Sequence, residues 1–352
     1  PASAELGGIS GALKKVQQAQ DAKQKLDDLT FSEEEERQIG SDVSTQIRTR
    51  FGVVQDPAIH KYVTLVGTLL AQQSERPKLA WTFMVLDTDG VNAFAAPGGF
   101  VHITRGALGL VDSEAELAAV LGHEIGHVVR KHTINALQKG NATKLAAEAA
   151  ASRAAVLGAV ANAAYSNIIE NAFDRGDEMD ADRLSVQLTQ RSGYAAGTLG
   201  GVLTRLSDRN KDAQERNGLF ASHPETTERI TTIGRLAAPS KTTALAKARY
   251  DANVKYEPTP ITSIAVVTEG SAGLTGGGKE PAKKEEPKPR TGLGLTTLKP
   301  TTTQEKQSAQ VSASGGARGL GADRAAKGGG NPRVVSVTVS ASEIAEFKKG
   351  IA

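Results

Sequence analysis

His123 and His127 stand four residues apart with Glu124 beside the first of them, in the stretch His123-Glu124-Ile125-Gly126-His127. On a helix, positions four apart differ by about 40° around the axis, so both imidazoles project from one face. Two neutral imidazole nitrogens so placed can hold one Zn²⁺, and the carboxylate between them can reach a water on that ion. The competing account is a helix with two solvated or core histidines. Chance produces this pattern in roughly one chain per hundred of this length, which favours the metal. A catalytic zinc needs a third protein ligand and an open position. The chain has no cysteine, so His, Asp and Glu are the candidates. The best is Glu178, in Phe173-Asp174-Arg175-Gly176-Asp177-Glu178-Met179-Asp180-Ala181-Asp182. Glu178 and Asp182 are again four apart, so one carboxylate can bind the ion while Asp182 orients a ligand imidazole. An acidic helix start is otherwise ordinary solvated charge favoured by the helix dipole.

These residues need helices to carry them. Ser113-Glu114-Ala115-Glu116 has the form of a capping box and starts a helix. Leu117, Val120, Leu121, Ile125 and Val128 follow at helical spacing, and Arg130 and Lys131 suit its C-terminal end. Leu184, Val186 and Leu188 continue the Glu178 helix. Upstream, Ser32 to Glu35 is a second capping box, and Asp56-Pro57 caps a helix buried through Ile59, Tyr62, Val63, Val66, Leu69 and Leu70. Trp81 to Leu86 and Phe100 to Thr104 read as strands. Between them lie the short run Asn92-Ala93-Phe94-Ala95 and a turn at Pro97-Gly98-Gly99. Pro97 cannot donate to a ladder, which suits an edge strand rather than an ordinary hairpin interior. An edge beside a metal can bind an extended peptide by strand addition.

Four ordered segments resemble those of the zinc metallopeptidases related to the CAAX prenyl endopeptidase, gluzincins with HExxH and ExxxD motifs. They are His123 to His127, Glu178 to Asp182, Asn92 to Gly99, and Ser222-His223-Pro224-Glu225-Thr226-Thr227-Glu228-Arg229-Ile230. The likeness runs from about Phe31 to Leu236. It is greatest to the soluble extracytoplasmic branch that includes the outer-membrane β-barrel assembly-enhancing protease of Gram-negative bacteria. The resemblance implies one zinc per chain on His123, His127 and Glu178, with Glu124 as general base. It implies a minimal α/β (α+β) zincin, mostly helical, with a small sheet whose edge strand flanks the zinc cleft. The function so implied is endopeptidase action on unfolded or misassembled extracytoplasmic polypeptides, with a periplasmic location. The alternative is a latent or chaperone-like assembly factor in which His223 fills the fourth zinc position. His223 could equally cap a helix or help to bind substrate. Arg229 is an oxyanion candidate, although an Arg at a helix start is usually a surface residue. His60, His102 and His132 read as structural or exposed. His132 falls a quarter of a turn out of phase with His123 if the helix continues.

The rest of the chain bounds this reading. It begins at Pro1 without a hydrophobic signal segment, as a mature or trimmed form would. The Ala-rich segment from Ala142 to Ile169 carries Lys144, Glu148 and Arg153, a poor membrane span, though its uncharged part from Ala154 could touch a membrane surface. It reads as a helix linking the two metal-bearing helices. The expected organisation is an amphipathic helix within 1–30, the peptidase domain at 31–238, a helical extension at 239–258, a Gly-, Pro- and Lys-rich linker at 259–332, and a β-α piece at 333–352. Residues 259–352 hold 13 Lys and Arg against 8 Asp and Glu, while the whole chain is only +3. That basic excess is dilute and lacks interleaved aromatics, which argues against nucleic-acid binding. Val334 to Val339 looks like a strand and Ser342 to Phe347 like a helix. So short a piece cannot bury a core alone and is expected to dock on the body or on an envelope assembly partner. Truncation before Gly270 is expected to leave zinc binding intact.

Overall fold

The computed structural model describes residues 30–138, 152–170, 173–210, 227–257 and 331–351. The expected helix before residue 30 and His223 lie outside them. In chain order come α1 (Glu33–Phe51), α2 (Pro57–Ala71), β1 (Thr82–Leu86), β2 (Ala93–Ala96), β3 (Phe100–Thr104), α3 (Arg105–Leu110) and α4 (Glu114–Val129). After these come α5 (Arg153–Glu170), α6 (Arg175–Ser192), α7 (Thr198–Asn210), α8 (Thr227–Ala237), α9 (Lys247–Asn253) and α10 (Ala341–Lys349). The fold is α+β, mostly helical around one small mixed sheet.

The caps form where the sequence places them. Ser32 and Glu35 make a complete capping box on α1, and Asp56 accepts from the Ala58 amide ahead of Pro57. At α4 only half of the box forms. Ser113 accepts from the Glu116 amide, but the Glu116 carboxylate takes the Asp112 amide, 2.7 Å away.

The sheet has the order β1-β3-β2, with β1 parallel and β2 antiparallel to β3. β2 is thus an edge strand, joined to β3 by the tight turn Pro97–Gly99. Strand alternation divides the side chains between two cores. Met84, Leu86, Phe94 and Phe100 pack with Ile39, Val43 and Ile47 of α1 and Val156 and Val160 of α5. Phe83, Val85, Ala93, Val101 and Ile103 pack with α2 and α4 on the other face. The apolar side of α5, considered for membrane contact, faces inward onto α1. No helix among the described residues is long and apolar enough to cross a membrane.

α4 is buried along its whole length, every residue from Glu114 to Val129. Its closest neighbour is α6. A Cβ added at Gly126 would lie 3.0 Å from the Ala181 Cα, and one at Gly122 would lie 3.3 Å from the Ser185 Cα. Glycines on α4 therefore meet small residues on α6, and the backbones approach closely. The Ser185 hydroxyl donates to the Ala119 carbonyl across this seam, at 2.6 Å.

The segment 331–351 corrects one expectation. Val334 to Val339 forms no ladder with any described strand. Val335, Val337 and Val339 are partly buried while Ser336 and Thr338 are exposed, so the alternation records one-sided packing of an extended segment rather than sheet pairing. α10 docks on α2 and α9, where Ile344 and Ile351 join the main core. Phe347 packs edge-on against Tyr62 and under the Arg249 guanidinium. This segment therefore docks on the body, as its length required, and contributes to the main core. Deletion of residues 331–352 is expected to lower the thermal unfolding midpoint. An unchanged midpoint would show the segment to be a passenger.

Gly40 of α1 tests the packing of the turn after β2. A Cβ there would fall 1.8 Å from the Pro97 carbonyl oxygen, so Gly40→Ala must displace backbone. It should cost about 3 kcal/mol or more in denaturant unfolding. Gly158→Ala, with nothing within 4 Å of its new methyl group, should instead stabilise by about 0.5–1 kcal/mol through helix propensity.

Candidate metal centre

The α4–α6 crossing brings the three expected donors together. His123 Nε2 lies 3.1 Å from His127 Nε2 and 3.5 Å from Glu178 Oε2, and His127 Nε2 lies 3.4 Å from Glu178 Oε1. All three residues are buried, and their donor atoms fit within 4.8 Å of one another. A tetrahedral zinc with bonds of about 2.0–2.1 Å needs its ligand atoms roughly 3.3 Å apart, so the spacing fits that ion. Glu124 is fully buried on the same turn of α4.

Behind the donors is a buried charge cluster. Asp182 Oδ1 lies 3.0 Å from His123 Nδ1, the nitrogen turned away from the donor cluster. Arg229 of α8 is only 2 % exposed and grips Asp182 with two bonds, Nε to Oδ2 at 2.8 Å and Nη2 to Oδ1 at 2.7 Å. Its third nitrogen, Nη1, lies 2.7 Å from Glu178 Oε2. The oxyanion role considered for Arg229 finds this guanidinium already committed to two carboxylates, and the surface expectation is corrected. Two carboxylates cannot be buried together without positive charge, and Arg229 supplies part of it.

The family model described as Peptidase family M48 matches residues 57–237, more than half of the chain. The chain belongs to peptidase family M48. It is 28% identical over 208 residues to the beta-barrel assembly-enhancing protease of Yersinia pestis, covering 55% of this chain and 42% of that protein. It is 29% identical over 163 residues to metalloprotease YcaL of Escherichia coli, covering 45% and 63% respectively. It is 24% identical over 218 residues to the mitochondrial metalloendopeptidase OMA1 of Arabidopsis thaliana, covering 62% and 41%. The chain spans less than two thirds of the length of each of these relatives.

In this M48 chain the edge strand lies beside the donors. Ala95, Ala96 and Pro97 line a small pocket with His127, Val128 and Thr133. Asn92 is locked at the head of β2, since its amide donates to Thr104 Oγ1 at 3.0 Å and its Oδ1 accepts from the Ala93 amide at 2.8 Å. Ala93 and Ala95 pack toward the face that carries α4, whereas Phe94 turns away and stacks on Phe51. His60 and His102 are buried structural residues. His60 Nε2 is 2.8 Å from the Val54 carbonyl, and His102 Nε2 is 3.0 Å from the Ser44 hydroxyl.

Sequence spacing did not show where His132 lies, although its reading as structural or exposed agrees with its burial outside the donor cluster. The phase of His132 assumed a continuous helix, but Lys131 adopts φ 56° and breaks it. A new helical segment, 132–138, then starts with His132 folded back, its Nδ1 2.9 Å from His127 Nδ1. Phe173 stacks on His127 from the other side, with ring centroids 4.1 Å apart. An Arg-Lys pair at a helix end reads as dipole complement and gives no sign of a left-handed turn.

The carboxylates act strongly on His123. Burial alone would lower its pKa, yet hydrogen bonds and charge from Asp182 and Glu178 outweigh burial and push it up to about 9. Without metal, His123 therefore holds a proton at neutral pH. A raised native pKa contributes stability that is complete below the unfolded value of about 6.5 and lost as pH rises through the native value. The midpoint of the metal-free protein should fall between pH 6.5 and 9. Saturating zinc should remove this dependence, because a ligand imidazole must be neutral. Zinc uptake in the same window should release a proton, measurable by calorimetry in buffers of different ionisation enthalpy.

Proposed function

We propose that this chain is a zinc-dependent endopeptidase acting on unfolded or misassembled proteins outside the cytoplasm. The observation that carries the reading is the cluster of His123, His127 and Glu178 with Glu124 on the same helical turn, all buried beside an edge strand. Bound zinc supplies a Lewis acid and lowers the pKa of a coordinated water. Glu124 is assigned as the base that takes the proton of the attacking water and returns it to the leaving amine. Asp182 holds His123 in the tautomer that presents Nε2 to the ion, and Arg229 keeps Asp182 ionised and holds both it and Glu178 in place.

β2 is assigned as the substrate edge. Strand addition recognises main-chain groups and asks little of side chains, which suits extended, unfolded segments. The names of relatives that enhance β-barrel assembly support an extracytoplasmic setting.

Replacement of single groups separates these roles. Glu124→Gln should retain about one zinc per chain and lose roughly 100-fold or more in casein or peptide cleavage, the usual weight of a general base. Glu178→Ala should lose zinc as well as activity. Cleavage by Glu124→Gln at the wild-type rate would overturn the mechanism.

A further inference from the structure

We infer that His132 is a positioning residue for the second zinc ligand, His127, and that it acts through a neutral histidine pair. The inference rests on the zinc reading above and deepens it. His127 turns Nε2 toward His123 and Glu178, and its opposite nitrogen, Nδ1, lies 2.9 Å from His132 Nδ1. Two nitrogens at that distance share one hydrogen, so one donates and the other accepts. A metal ligand must offer a lone pair. With Nε2 committed to the ion, the hydrogen of His127 sits on Nδ1 and is donated to His132. His132 must then accept on Nδ1 and carry its own hydrogen on Nε2. That nitrogen faces Asp177 Oδ1 at 3.5 Å and Asp180 Oδ2 at 4.0 Å. The tautomers of both rings are thereby fixed in one direction, from ligand to surface carboxylate.

The two ligand histidines are supported differently. His123 is held by a carboxylate that is itself clamped by Arg229. His127 is held by an imidazole. The fold invests in this contact: Lys131 takes a left-handed conformation, and the turn brings His132 under the ring that α4 presents. Phe173 covers both rings, at centroid distances of 4.1 Å from His127 and 6.2 Å from His132. His132 is 4 % exposed, so water does not readily replace it as the acceptor.

Loss of an outer hydrogen-bond partner typically costs 10–100-fold in metal affinity. The test is zinc affinity of the full chain, measured by chelator competition, with thermal unfolding in chelator as a check on folding. His132→Phe fills the space without an acceptor and should weaken zinc binding by about 10–100-fold. His132→Asn places Oδ1 where Nδ1 stood and should recover affinity to within a few-fold of wild type. Cobalt substitution adds a spectral readout: the visible bands should shift in His132→Phe and return in His132→Asn. Wild-type affinity in His132→Phe, or equal weakening in both variants, would overturn the inference. If His127→Ala abolishes zinc binding while His132→Phe does not, the zinc reading stands and the positioning role falls. Absence of zinc binding in the wild type would overturn both.

Discussion

The close passage of α4 over α6 is the constraint on which the rest of the molecule depends. Gly122 and Gly126 leave no side chain between the helices, and Ala181 and Ser185 answer with small ones. At that separation the imidazoles of one helix and the carboxylate of the other face each other with donor atoms 3.4 and 3.5 Å apart. A wider spacing would leave a cleft that water could enter and that no single ion could bridge. The same closeness strips solvent from Glu178 and Asp182, so a cation must come with them. Arg229 arrives from α8 for that purpose, and the third helix is thereby tied to the first two.

Sheet and turn serve the same crossing from the other side. β2 packs against α4, and its exit at Pro97–Gly99 is pinned by α1. Glu36 of α1 is buried there, accepting from the Gly98 amide at 3.1 Å and pairing with Arg76 and Lys131. Burial raises the Glu36 pKa, but hydrogen bonds from Arg76 and Lys131 outweigh it and hold the carboxylate below its ordinary range. Lys131 is thus part of two arrangements. Its side chain secures α1 to the end of α4, and its backbone makes the turn that returns His132 to His127.

Much of this was legible in the sequence because it depends on short spacings. The HExxH helix, its Ser113 cap, the Glu178–Asp182 pair and the strands β1 and β3 each follow from residues within a few positions of one another. What was not legible depends on distance along the chain. Arg229 looks like a helix-start surface residue until its partners, 47 and 51 positions earlier, are seen. A buried carboxylate pair did demand a cation, but nothing local said which. His132 read as structural or exposed and is a buried residue outside the donor cluster, but its place against His127 was not legible, because a single left-handed residue resets helical phase and Lys131 carries no local signature of one. Val334 to Val339 has the alternation of a strand without a neighbour to pair with among the described residues, since periodicity reports a buried side and not a hydrogen-bonded edge.

The contacts of α10 carry a consequence for the order in which the molecule can assemble. Glu114, at the head of the metal-bearing helix, is held by the hydroxyls of Tyr62 and Tyr194 and by Arg249, 135 positions later. Arg249 in turn donates to the Phe347 carbonyl, another 98 positions on. Such pairings close long loops, and the entropy of closure must be met before the contacts can repay it. A chain made from its N-terminus therefore finishes the helices of the metal centre early but completes the anchoring of α4 only when α10 is present. The slow step in its folding should be this final closure rather than formation of the site itself.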